Sequence, residues 1–84
     1  MKQIDAAFEQ RLRNNPNTQV RVIVRTKGNP SQFTQALESK GLHVVRTSTL
    51  INAATVEGTA KATLALCDED WVERIEEDKP VHTM

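Results

Sequence analysis

Apolar and polar positions recur with two different periods along this chain, and the switches between them divide it into elements. Residues 4–13 place Ile4, Ala7, Phe8 and Leu12 at helical spacing before running into Asn14-Asn15-Pro16-Asn17, a stop and a turn. That spacing predicts a short amphipathic helix ahead of the main fold. Over Gln19–Thr26 the period becomes two, with Val20, Val22 and Val24 on one side and Arg21, Ile23 and Arg25 on the other. β-Branched residues alternating with charged ones describe a half-buried strand.

Lys27-Gly28-Asn29-Pro30 then turns the chain. Asn29 suits an N-cap, Pro30 the first helical position and Gly41 the residue past the end. Between them Phe33, Ala36 and Leu37 form the i, i+3, i+4 stripe of a helix of about three turns. Residues 42–49 and 52–57 are read as two strands joined by a turn near 49–51. Thr59 can cap a second helix over 60–67, with Ala62, Thr63 and Leu66 facing inward, and 68–70 ends it. Residues 71–77 form a final strand with Ile75 inward. Val72 lies three positions before Ile75, the wrong spacing for one face, so the strand is expected to start after Val72. Pro80 cannot donate to a ladder, so the residues beyond this strand are expected to form an extended tail.

The predicted order is an extra helix followed by β-α-β-β-α-β. This implies an α+β, ferredoxin-like domain, a four-stranded antiparallel sheet with two helices on one face and the other face bare. The division is a single domain over 1–84, with a helical extension (1–17), a βαββαβ core (18–78) and a tail (79–84). Such a topology hosts many functions and cannot name one alone.

Charge adds an asymmetry. The 84 residues carry 11 basic and 11 acidic side chains, a net charge of zero. Residues 1–66 hold nine Lys/Arg against four Asp/Glu, whereas 67–84 hold two against seven. The acidic run is Asp68, Glu69, Asp70, Glu73, Glu76, Glu77 and Asp78, and spacing alone describes it as a solvated face. No region combines a basic stripe with aromatics, which argues against nucleic-acid binding. The single Cys67 allows no disulfide within the chain and fits a small buried hydrophobe. No stretch approaches the roughly 20 apolar residues of a membrane span, and the charged first ten residues do not form a secretion signal.

Catalytic chemistry has no foothold in the pattern. His43 and His82 lie far apart, and one cysteine with two distant histidines makes a poor zinc site. Gly28, Gly41 and Gly58 are isolated and form no phosphate-cradling loop. A solvated carboxylate run has no desolvated pocket to separate its pKa values. The expectation is a non-enzyme without metal or cofactor.

Two segments carry a family resemblance. Asn52-Ala53-Ala54 leads into the third core strand, and Ile75-Glu76-Glu77-Asp78-Lys79-Pro80-Val81-His82-Thr83-Met84 closes the sequence. Both resemble subtilisin propeptides and the small fungal inhibitors of vacuolar subtilases, over about residues 19–84. The resemblance implies that the bare sheet face packs on two surface helices of a subtilisin-like serine protease. Glu76 and Asp78 would then meet the N-termini of those helices, where exposed N–H groups and partial positive charge favour a carboxylate. It also implies that the tail lies in the substrate groove as an added strand. Met84 would fill the primary specificity pocket, Val81 a second apolar pocket, and His82 and Thr83 would bridge them after Pro80.

The expected function is therefore that of a stand-alone protease inhibitor, monomeric when free and cytoplasmic. One alternative is the propeptide of a secreted subtilase precursor, acting as intramolecular chaperone and inhibitor. Another is a small-molecule-binding regulatory domain of the same topology. The initiating Met1 and the lack of a signal segment favour the stand-alone form.

Overall fold

The Val/Arg alternation of 19–26 becomes the central strand of the protein. A computed structural model describes residues 3–78. In chain order it contains β1 (Gln3–Ile4), α1 (Ala6–Asn14), β2 (Gln19–Thr26), a 3-10 turn (Pro30–Phe33) leading into α2 (Thr34–Ser39), β3 (His43–Ser48), β4 (Ala53–Thr59), α3 (Ala60–Ala65) leading into a second 3-10 turn (Leu66–Asp68), and β5 (Val72–Glu77). The sheet order is β1-β5-β2-β4-β3. The four long strands are antiparallel to their neighbours, and β1 adds a two-residue parallel partner to the outer edge of β5. The fold is thus a small α+β arrangement with three helices.

Strand register sets the core. Val22 lies opposite Val56, and Val24 lies opposite both Ala54 and Ile75, so these five side chains share one face. Phe8 and Leu12 of α1, Leu37 of α2, Ala60 of α3, and Leu42 and Leu66 pack onto it, all buried. Several caps follow their sequence signals. Asn29 Oδ1 accepts the Ser31 N–H, and Thr59 Oγ1 accepts the Ala62 N–H. Gly41 takes a positive φ of 89° just after α2, a conformation that costs glycine least. In α3 the fully buried positions are Ala60 and Thr63, with Leu66 beyond, while Ala62 is only partly buried. The Thr63 hydroxyl satisfies itself by donating to the Thr59 carbonyl.

Three expectations need correction. The N-terminal helix is part of the core, because Phe8 and Leu12 sit within it and α1 packs against α3. It begins only at Ala6: Asp5 adopts an extended cap conformation and accepts the Phe8 N–H. Ile4 therefore belongs to β1, beside Ile75 of β5, and Ala7 faces solvent. Consequently three helices, not two, cover the sheet face.

The start of β5 is the third correction. Val72 is buried and opens the strand. Arg25 pairs with Arg74 and Thr26 with Val72, so Glu73 is an extra residue bulged out of the ladder. A bulge inserts one residue and resets the alternation, which lets Val72 and Ile75 enter the same core from positions three apart. A second register shift between Val44 and Arg46 leaves Val45 as the extra residue on edge strand β3.

Candidate functional site

The alternation that buries Val22 and Val24 turns Arg21, Ile23 and Arg25 to the opposite face, away from the helices. Register extends that face across the sheet. Arg21 lies opposite Glu57, Ile23 opposite Thr55 and Glu76, and Arg25 opposite Ala53 and Arg74. On β3, His43, Arg46 and Ser48 lie opposite Glu57, Thr55 and Ala53. At the centre are half-buried Ile23 and the small side chains of Ala53 and Thr55, screened by longer neighbours. Around them stand four arginines and two glutamates.

The charges are organised. Arg21 grips Glu57 through Nη2 at 2.9 Å. Glu76 Oε2 lies 3.3 Å from Arg25 and 3.7 Å from Arg74. Arg46 has no carboxylate within ion-pair distance among the described residues. These pairs are half exposed, so each is worth only about 0–1 kcal/mol to the fold.

Glu76 therefore sits on the helix-free face, already oriented by two guanidinium groups. Asp78 joins it: its N–H donates to the Arg21 carbonyl at 3.0 Å, carrying the ladder one step past β5, and alternation gives it the parity of Glu76. Glu77, between them, points to the helix side and pairs with Arg11 of α1. The rest of the acidic run goes elsewhere. Glu69 pairs with Lys40 at 2.7 Å and accepts the Trp71 indole N–H. Asp68 and Asp70 lie in the turn before β5. Carboxylates clustered within residues 68–78 are thus divided among separate surfaces.

Asn52-Ala53-Ala54 has a local structural account. Asn52 holds the one positive φ of a non-glycine residue among the described residues, 50°, a region that asparagine tolerates better than most. Its carbonyl accepts from both the Thr26 N–H and hydroxyl. With its amide turned so that nitrogen faces inward, the side chain reaches the Thr49 and Gly28 carbonyls at 3.3 and 3.2 Å. Ala53 and Ala54 are buried on opposite faces of β4. This triplet builds the hairpin that carries the face rather than supplying a reactive group.

Pro80, Val81, His82, Thr83 and Met84 lie outside the described residues. His43 is exposed on the helix-free face, and Cys67 packs at the margin of the core. No group of three His, Cys, Asp or Glu among the described residues is placed to hold a metal ion. A cavity of about 120 Å³ opens between α1 and the start of β2, on the helix side, rimmed by the Arg11–Glu77 pair. Sequence reasoning named Glu76 and Asp78 but gave no role to Arg25, Arg46 and Arg74. The signal for Arg25 lay in its alternation with Val24; for the other two it needed the register. No protein-family model matches the sequence, and no curated protein matches it. The resemblance to subtilisin propeptides rests on Asn52-Ala53-Ala54, residues 75–84 and the element order alone.

Proposed function

We propose that this chain inhibits subtilisin-like serine proteases, docking through the helix-free face of its sheet and threading the segment after Asp78 into the substrate groove. The finer fold reading is part of the proposal: β5-β2-β4-β3, with α2 and α3 each carrying the chain across one intervening strand, supports a ferredoxin-like split βαβ topology.

One observation carries the reading. The last strand runs beside the central strand to Glu77, the Asp78 N–H extends the ladder to Arg21, and alternation puts Glu76 and Asp78 on the face that none of the described helices covers. A protein surface laid on that face meets both carboxylates at once, with Asp78, the last described residue, at the margin of the same contact. Glu76 has acceptor capacity to spare, because two carboxylate oxygens offer about four lone-pair sites. It can keep its arginines and still accept N–H groups from a helix terminus, where such bonds are charge-assisted. The tail then adds a strand to the protease, with Val81 and Met84 in apolar pockets three residues apart.

The test is a titration of a broad-specificity subtilisin with the intact chain and with a chain lacking residues 81–84, read by hydrolysis of a fluorogenic peptide. Inhibition by the intact chain, weakened by orders of magnitude in the truncated one, is expected, since burying each apolar side chain is worth about 1.5–3 kcal/mol. A chymotrypsin-fold protease should respond far less. Unchanged hydrolysis at micromolar concentrations of the intact chain would refute the proposal.

A further inference from the structure

The helix-free face carries more positive charge than its own carboxylates answer. Arg25 and Arg74 are directly opposed across the β2–β5 ladder, an arrangement of like charges that weakens a sheet. A single glutamate, Glu76, serves both. Arg46, opposite Thr55, has no carboxylate within ion-pair distance among the described residues. Each guanidinium presents five N–H donors in a planar fork, so Glu76 leaves most of those on Arg25 and Arg74 to water. In the free protein water satisfies them. Beneath a docked protein that water is displaced, and guanidinium groups buried with too little counter-charge are strongly disfavoured.

We infer that the partner surface seated on this face is acidic, presenting carboxylates to the Arg25–Arg74 pair and to Arg46. This rests on the proposed protease docking and adds to it. The two helix N-termini that take Glu76 and Asp78 must lie beside acidic side chains, so the contact exchanges charge in both directions. Such two-way complementarity selects among proteases of the same fold, because a partner with basic or apolar residues at these points leaves Arg46 buried without counter-charge and Arg25 and Arg74 sharing one glutamate. The arginines are thus specificity-determining, while the tail supplies occupancy of the groove.

The experiment compares the intact chain with Arg74→Gln and Arg46→Gln in titrations of a subtilisin-type protease between about 0.05 and 0.5 M NaCl, with circular dichroism and thermal melts to verify the folds. Inhibition by the intact chain should weaken about tenfold or more over that range. Each variant should inhibit about tenfold less well at low salt and lose part of the salt dependence, because one fewer ion pair is screened. Arg74→Lys should recover part of the loss, keeping the charge without the fork. Inhibition that is insensitive to salt and unchanged in both variants would overturn the acidic-partner inference while leaving the protease reading in place. An intact chain that fails to inhibit at any salt concentration would overturn both.

Discussion

Removing the apolar contacts of α1 should unfold much of this protein, and the structure allows the size of the effect to be worked out. Phe8 and Leu12 are 3% and 2% exposed and lie in the same cluster as Val22, Val24 and Ile75. Truncating such residues costs the transfer free energy plus that of the cavity left behind, about 2–5 kcal/mol for Leu→Ala and 3–5 for Phe→Ala. A domain of 84 residues has a total stability of about 4–13 kcal/mol, at roughly 0.05–0.15 kcal/mol per residue. Either substitution therefore removes a large share of it. The polar attachments of the helix cannot make up the difference: Arg11 pairs with Glu77 at a side-chain exposure of 57%, and such pairs contribute about 0–1 kcal/mol.

Urea unfolding followed by Trp71 fluorescence is a suitable assay. The indole stacks on Phe33 with centroids 4.5 Å apart and donates to Glu69, so its surroundings change on unfolding. A loss of about 3 kcal/mol moves the midpoint by about 3 M if m is near 1 kcal/mol/M. Gln10→Ala, on the exposed side of α1, should stay within about 0.5 kcal/mol of the parent. If Phe8→Ala and Leu12→Ala each cost less than about 1 kcal/mol, α1 is a peripheral helix and its assignment to the core is wrong.

Two further outcomes rest on particular contacts. Glu76→Ala combined with Asp78→Ala should weaken protease inhibition by about 1–3 kcal/mol while leaving the fold intact, whereas Asp68→Ala with Asp70→Ala should change it much less; equal inhibition losses from the two pairs would show that only overall charge matters. Gly58→Ala should destabilise by about 1–3 kcal/mol, because its added Cβ would lie 2.5 Å from Leu42 Cδ2 and 3.3 Å from the Gly41 carbonyl; a thermal midpoint equal to the parent's would mean that Leu42 swings clear at no cost.

Features governed by near neighbours in the chain were legible in the sequence. The alternation of β2, the Asn29 and Thr59 caps and the glycine after α2 depend on side chains within a few residues of the backbone they serve. The errors arose where distant segments decide and, at the start of α1, where a local cap outweighs the apolar spacing. At Val72 the period-two rule failed because the β2–β5 pairing bulges at Glu73, and no local pattern marks the insertion. At Ile4 the helical spacing of apolar residues was present, yet the Asp5 cap starts the helix two residues later and leaves Ile4 to pair with Ile75.

Local pattern was enough to show which residues could form strands and helices, the α+β class, and the placing of Glu76 and Asp78 two positions apart where the last strand ends, since strand alternation is a local geometric property. What those residues face depends on long-range strand pairing. Pairing of β5 with β2 brings Glu76 to Arg25, across a sequence separation that periodicity cannot bridge, and places Arg25 opposite Arg74. It also sends the intervening Glu77 to Arg11 on the other side of the sheet. The acidic run is one feature in the chain and several in space, because register, rather than composition, assigns each charge its surroundings.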